Sequence, residues 1–472
     1  MRRYTEKASS LGSGGALDVH RVFRRILFFT WPATFIVLAG CGGGGGASGI
    51  TAPAVPANAA TNVPAAGPAS IASPAGTPTY PAAGSGETPR SADAFVDSAG
   101  VNVHLSSYAT TYGNFAAVSS LLVDLGVRHI RDGVAIGQPT VCAEDDQLAG
   151  AGIHIDLIAA ANVGMPALAG WVACLGSAID AIEDPNEYDA SGDANWVATL
   201  GAYAQLLYPA MKPATIVAPA LTTEQAFVAL GSLAASVDDG NMHDYFAGRN
   251  PGTPGWGGTD AYGGYGSLAF NLNLAAITSG GKPVMATETG YSDAADQYAV
   301  PAATKARYTM RTLLEHWNAG VVRTYFYELV DEGAQPFSHY GLADATGNPK
   351  PAYVALKNLL AHFADPGGSF TTTPLAYTLN APSSVHHTLL QKRNGRYALV
   401  IWVEQPEWNP NTSATIPVAP QAVTLSFAHA PSALAATVFD DGGNVSTSTL
   451  AASAGTATLQ VTGSPTIVDI TP

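Results

Sequence analysis

Residues 178–187 read AIDAIEDPNE, an apolar run that suits a buried strand and ends in a Pro, an amide and a carboxylate. A lone Glu at a turn is ordinary. It gains meaning if a second carboxylate is aimed at the same point, and residues 283–290, PVMATETG, end in the same way on Glu288. Six further runs share this build: GVNVHL (100–105), VRHIRDG (127–133), GIHIDLIAA (152–160), TIVAPAL (215–221), GNMHDYF (240–246) and RTYFYEL (323–329). Helical patterns lie between them, including NFAAVSSLLVDLG, WVATLGAYAQLLYPAMK and KARYTMRTLLEHWNAG, the last stopping at Gly320 as a helix should. Eight strands alternating with helices predict a (β/α)8 TIM barrel, closed by the helix YVALKNLLAHF.

After about Gly367 the helices stop. HHTLLQKR, YALVIWVE, AVTLSFA, ALAATVFDD, ATLQVTG and TIVDIT are short alternating strands with turn residues between them, which predicts a small antiparallel β-sandwich. The N-terminus reads differently. RVFRR (21–25) precedes ILFFTWPATFIVLAG, an apolar run short for a membrane span, and the run ends in LAG before Cys41. This resembles a bacterial lipoprotein signal peptide with Cys41 as the lipidated residue; an ordinary signal peptide or an uncleaved anchor are the other readings. Cleavage there removes six Lys/Arg and two Asp/Glu, taking the net charge from −15 to −19. The expected organisation is a signal peptide over 1–40, a Gly/Pro/Ala/Ser-rich linker over 41–92, the barrel over 93–366 and the sandwich over 367–472.

Composition narrows the function. Hydrophobic residues make up 47% of the 472-residue chain, ample for two cores. Charged residues are only 12%, about half the usual share of roughly 25%, which suits an exported protein. The chain is acidic and no basic cluster lies in its body, so a nucleic-acid partner is not expected. Cys142 and Cys174 would be free to pair in an oxidising compartment, two buried thiols being the alternative. No CxxC or Cys/His cluster suggests a metal site.

In a (β/α)8 barrel the chemistry sits at the C-terminal ends of the strands. Those ends carry His104, Arg131, Asn186 with Glu187, His243 with Tyr245, Glu288, and Tyr327 with Glu328. A purely structural barrel would need none of these. Glu187 and Glu288 are far apart in sequence, yet a closed barrel aims both at one cavity. Asn-Glu after strand four, Thr-Glu-Thr-Gly after strand seven and His-x-Tyr on strand six resemble the clan A retaining glycoside hydrolases, which include cellulase, xylosidase and glucuronidase families. The resemblance covers roughly residues 94–365 and extends through HYGLADATGNPKPAYVAL (339–356).

The resemblance implies Glu187 as acid/base and Glu288 as nucleophile, since a glycosidic bond needs a proton on the leaving oxygen and an attacking group at the anomeric carbon. It implies that Asn186 donates to the sugar hydroxyl beside that carbon, that Arg131 keeps Glu288 ionised, that Tyr245 orients Glu288 and that His243 lines the pocket. Each has a structural alternative: Arg131 could pair with Asp132, His243 could be a satisfied core histidine, and His104 could be core instead of pocket wall. Glu183 shares strand parity with Glu187 and reads as an acid behind the site, or as a structural hydrogen-bond partner. Trp256, Tyr262 and Tyr265, in PGWGGTDAYGGYG, suit stacking on sugar faces or simple loop filling.

Strand eight departs from the clan, reading YFYELVDEG where many members end in a sugar-stacking Trp, so the platform is expected from Tyr325, Tyr327 or the loops. Asp184 and Asp244 add acid near the site and count against a polyuronate. The expectation is a retaining glycosidase acting on a β-linked, neutral oligo- or polysaccharide, with no cofactor and no metal. It is a monomer held at the bacterial cell envelope, on the outer membrane or facing the periplasm or exterior, by lipid on Cys41. A non-catalytic carbohydrate-binding surface lipoprotein and a glycan-remodelling transglycosylase are the alternatives.

Overall fold

The computed structural model describes residues 86–294, 298–333 and 338–472. The proposed signal peptide, Cys41 and most of the linker lie outside them. Among the described residues no helix is long and apolar enough to cross a membrane.

Eight parallel strands form one sheet: β1 (Ala99–Asn102), β2 (His129–Gly133), β3 (His154–Ile158), β4 (Ile179–Glu183), β5 (Thr215–Val217), β6 (Gly240–His243), β7 (Val284–Thr289) and β8 (Thr324–Phe326). The sheet closes where β5 meets the approach to β6. There the amide of Ala218 donates to the carbonyl of Asp239 at 2.9 Å, and that of Asp238 to Ile216 at 2.7 Å. The barrel is the one expected, with each strand somewhat shorter than the run that announced it. Helices separate the strands. Phe115–Leu125 ends at Gly126 and Ala302–Ala319 at Gly320, and both glycines take the left-handed conformation that a side chain would strain. The outer core forms where helix residues such as Leu122, Leu148, Leu168 and Leu313 meet the backs of the strands, all fully buried. Each such side chain is worth ~1.5–3 kcal/mol.

Inside the barrel the pattern reverses. Asn102, Arg131 and Asp156 are register neighbours on β1, β2 and β3, and all are buried. A layer of buried polar groups inside a barrel costs stability unless it is paired, so its presence points to use.

The C-terminal part is a sandwich. Strands Val385–Gln391, Tyr397–Val403, Thr466–Thr471, Ala433–Phe439 and Val445–Thr449 form one sheet, and Tyr377–Asn380, Gln421–Phe427 and Thr456–Val461 form the other. The sequence reading missed Tyr377–Asn380 and Val445–Thr449. The second is an edge strand exposed along its length, VSTST, so it carries no apolar alternation to read. It also placed the end of the linker too late. Residues Arg90–Ser91 pair in parallel with Leu390–Gln391, and Glu87 bridges to Leu375, so the chain joins the sandwich before it enters the barrel.

The two parts share a core that includes Leu390, Trp402 and Ile467 of the sandwich and Phe363 of the last barrel helix. A buried charge cluster joins them as well. Arg311, on the helix after β7, donates to Glu404 at 2.7 Å and to Glu407 at 2.9 Å. The other oxygen of Glu404 accepts from Asn250 at 2.7 Å and from the amide of Gly252 at 2.9 Å. One sandwich carboxylate thus ties down the loop after β6 and the helix after β7, the two strands whose ends carry His243 and Glu288.

Candidate active site

Arg131 is the centre of the site. Its Nε and Nη2 donate to the two oxygens of Glu183 at 2.7 and 2.8 Å. Nη1 donates to Asn102 at 2.9 Å and to Oε1 of Glu288 at 2.8 Å, and Nη2 also donates to Oδ1 of Asn186 at 2.7 Å. The alternative pairing with Asp132 does not form. Asp132 is the next residue along β2, so it faces outward and accepts from the amide of Leu105 at 2.9 Å. Glu183 is the partner of Arg131 from behind. Asn186 has its carbonyl oxygen on Arg131, which turns its amide nitrogen away from the guanidinium.

Glu288 has a second partner, the hydroxyl of Tyr245, which donates to Oε2 at 2.8 Å. Burial works to raise the Glu288 pKa, but His243, Arg131 and Tyr245 outweigh it and hold this carboxyl below the ordinary Glu range. Glu187 behaves in the opposite way. It is buried and touches one cationic candidate, His243, whose Nδ1 lies 2.7 Å from Oε1. Burial raises its pKa, the bond to His243 opposes this, and the net direction is upward. Glu187 also has a left-handed backbone at φ 43°, a conformation costing a non-glycine residue roughly 1–2 kcal/mol. An oxygen of Glu187 and an oxygen of Glu288 lie within 4.8 Å of each other.

The state of His243 follows from its neighbours. The amide nitrogen of Asn241 donates to the carbonyl of Ala218 at 3.0 Å, so its oxygen is the accepting end. That oxygen takes the hydroxyl proton of Thr287 at 2.8 Å. The Thr287 oxygen is then left to accept from Nε2 of His243 at 3.1 Å. Nε2 therefore carries hydrogen, and Nδ1 faces Glu187 either as a lone pair or, in the charged ring, as a second N–H. One proton is shared between Glu187 and His243 in both cases. Burial lowers the His243 pKa, but Glu288 and Glu187 raise it further, so the pair holds its proton.

This chain depends on a β-bulge. Ala286 pairs with Met242 and Glu288 with His243, so Thr287 and Glu288 together oppose a single residue. Strict alternation would put Thr287 on the far face of β7; the bulge brings it to the same imidazole that stands 3.7 Å from Glu288. Sequence reading named neither Thr287, Asn241 nor Asn102, and only the bulge and the register make them part of the site.

The rest of the wall is aromatic. Tyr245 meets Tyr340 at 5.6 Å between ring centroids, Tyr340 meets Tyr327 at 6.0 Å, and Tyr327 meets His104 at 5.7 Å. Tyr327 therefore stands on the path from Tyr245, the partner of Glu288, to His104. Trp256 packs within its own loop, against Tyr265 and under the guanidinium of Arg249 at 4.5 Å. Tyr262 and Tyr265 pack against the hydrophobic cluster that contains Phe270. The two acidic departures turn away from the site. Asp244 is buried and lies 2.7 Å from His316 on the helix after β7. Asp184 is buried just past the end of β4 and faces Tyr203 of the next helix, whose pKa is raised first by burial and then by this carboxyl. Both follow from strand parity, and neither adds acid to the pocket.

Cys142 and Cys174 are joined as a disulfide between helices Pro139–Gly150 and Met165–Leu175, with Cα atoms 6.3 Å apart.

No protein-family model and no curated protein matches this sequence. Solved structures do. A family 39 glycoside hydrolase from Bacteroides cellulosilyticus WH2 aligns over 81% of this chain and 83% of its own, with TM-score 0.57 and 16% identity. A family 39 enzyme from Xanthomonas axonopodis pv. citri aligns over 82% and 96%, with TM-score 0.53 and 13% identity. A family 51 α-L-arabinofuranosidase from Thermotoga petrophila RKU-1 aligns over 81% and 98%, with TM-score 0.53 and 10% identity. The chain has the TIM-barrel fold of clan A glycoside hydrolases, with a sandwich included in the alignment.

Proposed function

We propose that this protein is a retaining glycoside hydrolase with Glu187 as acid/base and Glu288 as nucleophile. The observation that carries the reading is the distance of 4.8 Å or less between their oxygens. Retaining enzymes hold the two carboxyls about 5–5.5 Å apart, whereas inverting enzymes need about 6.5–9.5 Å to admit a water. The opposed pKa directions fit the same roles: a proton is stored at Glu187 and a charge is kept at Glu288.

In the first step Glu288 attacks the anomeric carbon while Glu187 passes its proton to the glycosidic oxygen. The bond to the leaving group breaks and the departing alcohol carries that proton away. A covalent glycosyl ester on Glu288 neutralises the charge beside Glu187, so the Glu187 pKa falls and the carboxylate can act as base. It takes a proton from water as the water oxygen attacks the anomeric carbon, which frees Glu288 and restores Glu187. Asn186, with its carbonyl oxygen on Arg131, presents its amide nitrogen for the hydroxyl beside the anomeric carbon.

The substrate class we propose is a neutral, β-linked oligo- or polysaccharide. Arg131 is the guanidinium at the site, and it is already committed to Glu183, Glu288, Asn102 and Asn186. It has no donor left for a uronate carboxylate. A non-catalytic sugar-binding role would not need two carboxyls 4.8 Å or less apart whose pKa values are pushed in opposite directions, one up by burial and the other down by His243, Arg131 and Tyr245. Export and attachment to the cell envelope through lipid on Cys41, as a monomer, complete the proposal.

Covalent labelling tests it. The protein is treated with a panel of fluorinated or cyclitol glycosides of different sugars, digested and analysed by mass spectrometry. A label on the peptide containing Glu288, lost in Glu288→Gln, is the expected result. Glycan binding with no label from any sugar would favour the binding protein.

A further inference from the structure

Four groups of His and acidic side chains, among the described residues, bring three ligand-type atoms within 4.8 Å of one another. Three of them already have their counter-charges. Glu187, His243 and Glu288 form the site above, with Arg131 on Glu288. At Asp293, Asp331 and His339 the ammonium of Lys350 lies 2.9 and 2.6 Å from the two aspartates. At Glu315, His386 and Glu404, Arg311 lies 2.7 Å from Glu404 and His386 lies 2.6 Å from Glu315.

The fourth group is His104, Glu328 and Glu332. Nδ1 of His104 lies 3.4 Å from Oε2 of Glu328 and 3.0 Å from Oε1 of Glu332. No Lys or Arg pairs with either glutamate among the described residues. All three atoms are buried, and the imidazole nitrogen stands within ion-pair reach of both carboxylate oxygens without meeting either in good hydrogen-bond geometry. Glu328 is only 1% exposed, so its lone oxygen has no solvent to turn to.

We propose that His104, Glu328 and Glu332 bind one first-row divalent cation of the zinc or manganese type, in the wall of the pocket beside Tyr327. Atoms sharing a metal at about 2.0–2.2 Å stand roughly 3.0–3.5 Å apart, depending on coordination number, and the two measured separations fall there. One imidazole nitrogen with two carboxylate oxygens suits these ions better than calcium or magnesium, which take oxygen ligands throughout. One buried and one partly buried carboxylate without a Lys or Arg are costly, and a divalent cation offsets both where a proton on His104 would offset one. The imidazole is already held between two rings, edge-on to Tyr112 at 5.8 Å and tilted against Tyr327 at 5.7 Å. His104 and Glu332 are 28% and 25% exposed, so the remaining coordination positions open outward, to water or to a pair of sugar hydroxyls.

The site is independent of the glycosidase reading, and its test reads metal directly. The chain, freed of metal with a chelator, is titrated with Zn2+ by calorimetry, and bound zinc is counted by elemental analysis after gel filtration. The expected result is a single equivalent per chain, with affinity lower by about tenfold or more in His104→Gln and in Glu332→Gln and unchanged in Glu187→Gln. Melting curves verify that the variants are folded. Should a variant unfold, Mn2+ bound to the unmodified protein is measured by pulsed electron paramagnetic resonance, where coupling to one imidazole nitrogen is expected. Absence of zinc binding, binding that survives both His104→Gln and Glu332→Gln, loss in Glu187→Gln, or Mn2+ without nitrogen coupling would each overturn the proposal.

Discussion

Thr287 determines which nitrogen of His243 faces Glu187. Its hydroxyl is committed to Asn241 at 2.8 Å, so its oxygen accepts from Nε2 and leaves Nδ1 for the carboxyl 2.7 Å away. A side chain that is hydrogen-bonded to neither carboxyl thereby sets the proton supply of one of them.

Thr287→Val removes that acceptor while keeping the shape. Nε2–H then lacks a partner, the Nδ1–H tautomer gains, and Glu187 gives up its proton more readily. The expected effect is a kcat lower by roughly tenfold, the worth of one buried hydrogen bond, with little change in KM. The alkaline limb of the pH–rate profile should move to lower pH. An unchanged alkaline limb would sink this role for Thr287.

The full pH profile should be a bell. Glu288 must be ionised, and its pKa is held low, so activity is lost only as pH falls below the ordinary Glu range. Glu187 must be protonated, and its pKa is raised, so activity persists past that range and is lost as pH climbs through the raised value. Tyr245→Phe deletes a donor to Glu288 and should move the acid limb to higher pH. The loss in kcat/KM should be roughly 10- to 100-fold, as for a hydrogen bond to a charged group. Initial rates across pH for both proteins measure it.

Asp145 is buried, neither of its oxygens has a hydrogen-bond partner among the described residues, and its pKa is pushed up to about 8, first by burial and then by Asp132 and Glu144. A carboxyl whose folded pKa exceeds its unfolded one favours the folded state fully below the unfolded value. That contribution is lost as pH rises through the folded value. Stability should therefore decline between about pH 4 and pH 8. Asp145→Asn should flatten this decline by an amount on the order of a few kcal/mol. Denaturant melts at several pH values report it.

The disulfide closes a separation of 32 residues between two helices that flank β3. Loop-closure entropy gives it roughly 3–4 kcal/mol. The double variant Cys142→Ser, Cys174→Ser should lose stability of that order in urea while still folding. The same loss on treating the unmodified protein with reductant would tie the effect to the bond itself.

Much of this molecule was legible in the chain. The eight barrel runs, their helices and six of the sandwich strands announced themselves through periodicity, because a strand buried on both faces has to be apolar and a turn has to carry Gly, Pro, Asn or Asp. Glu187 and Glu288 stood out because polar residues at strand ends are where a barrel builds its chemistry. What could not be read was which neighbours meet. Arg131 joins Glu183 and not Asp132 because parity puts successive residues on opposite faces. Asp184 and Asp244 look like pocket acids in one dimension and point outward in three.

Thr287 breaks even the parity rule. A bulge is one extra residue in the pairing of two strands, and no local pattern in VMATET marks where it falls. By itself the sequence determined the barrel, the sandwich and the two carboxylates, since these follow from hydrophobic period and residue type. The tertiary structure alone decided the proton chain through Asn241, Thr287 and His243, and the meeting of His104 with Glu328 and Glu332. Both depend on side chains from distant strands converging to within a few ångströms, and sequence separation carries no record of that distance.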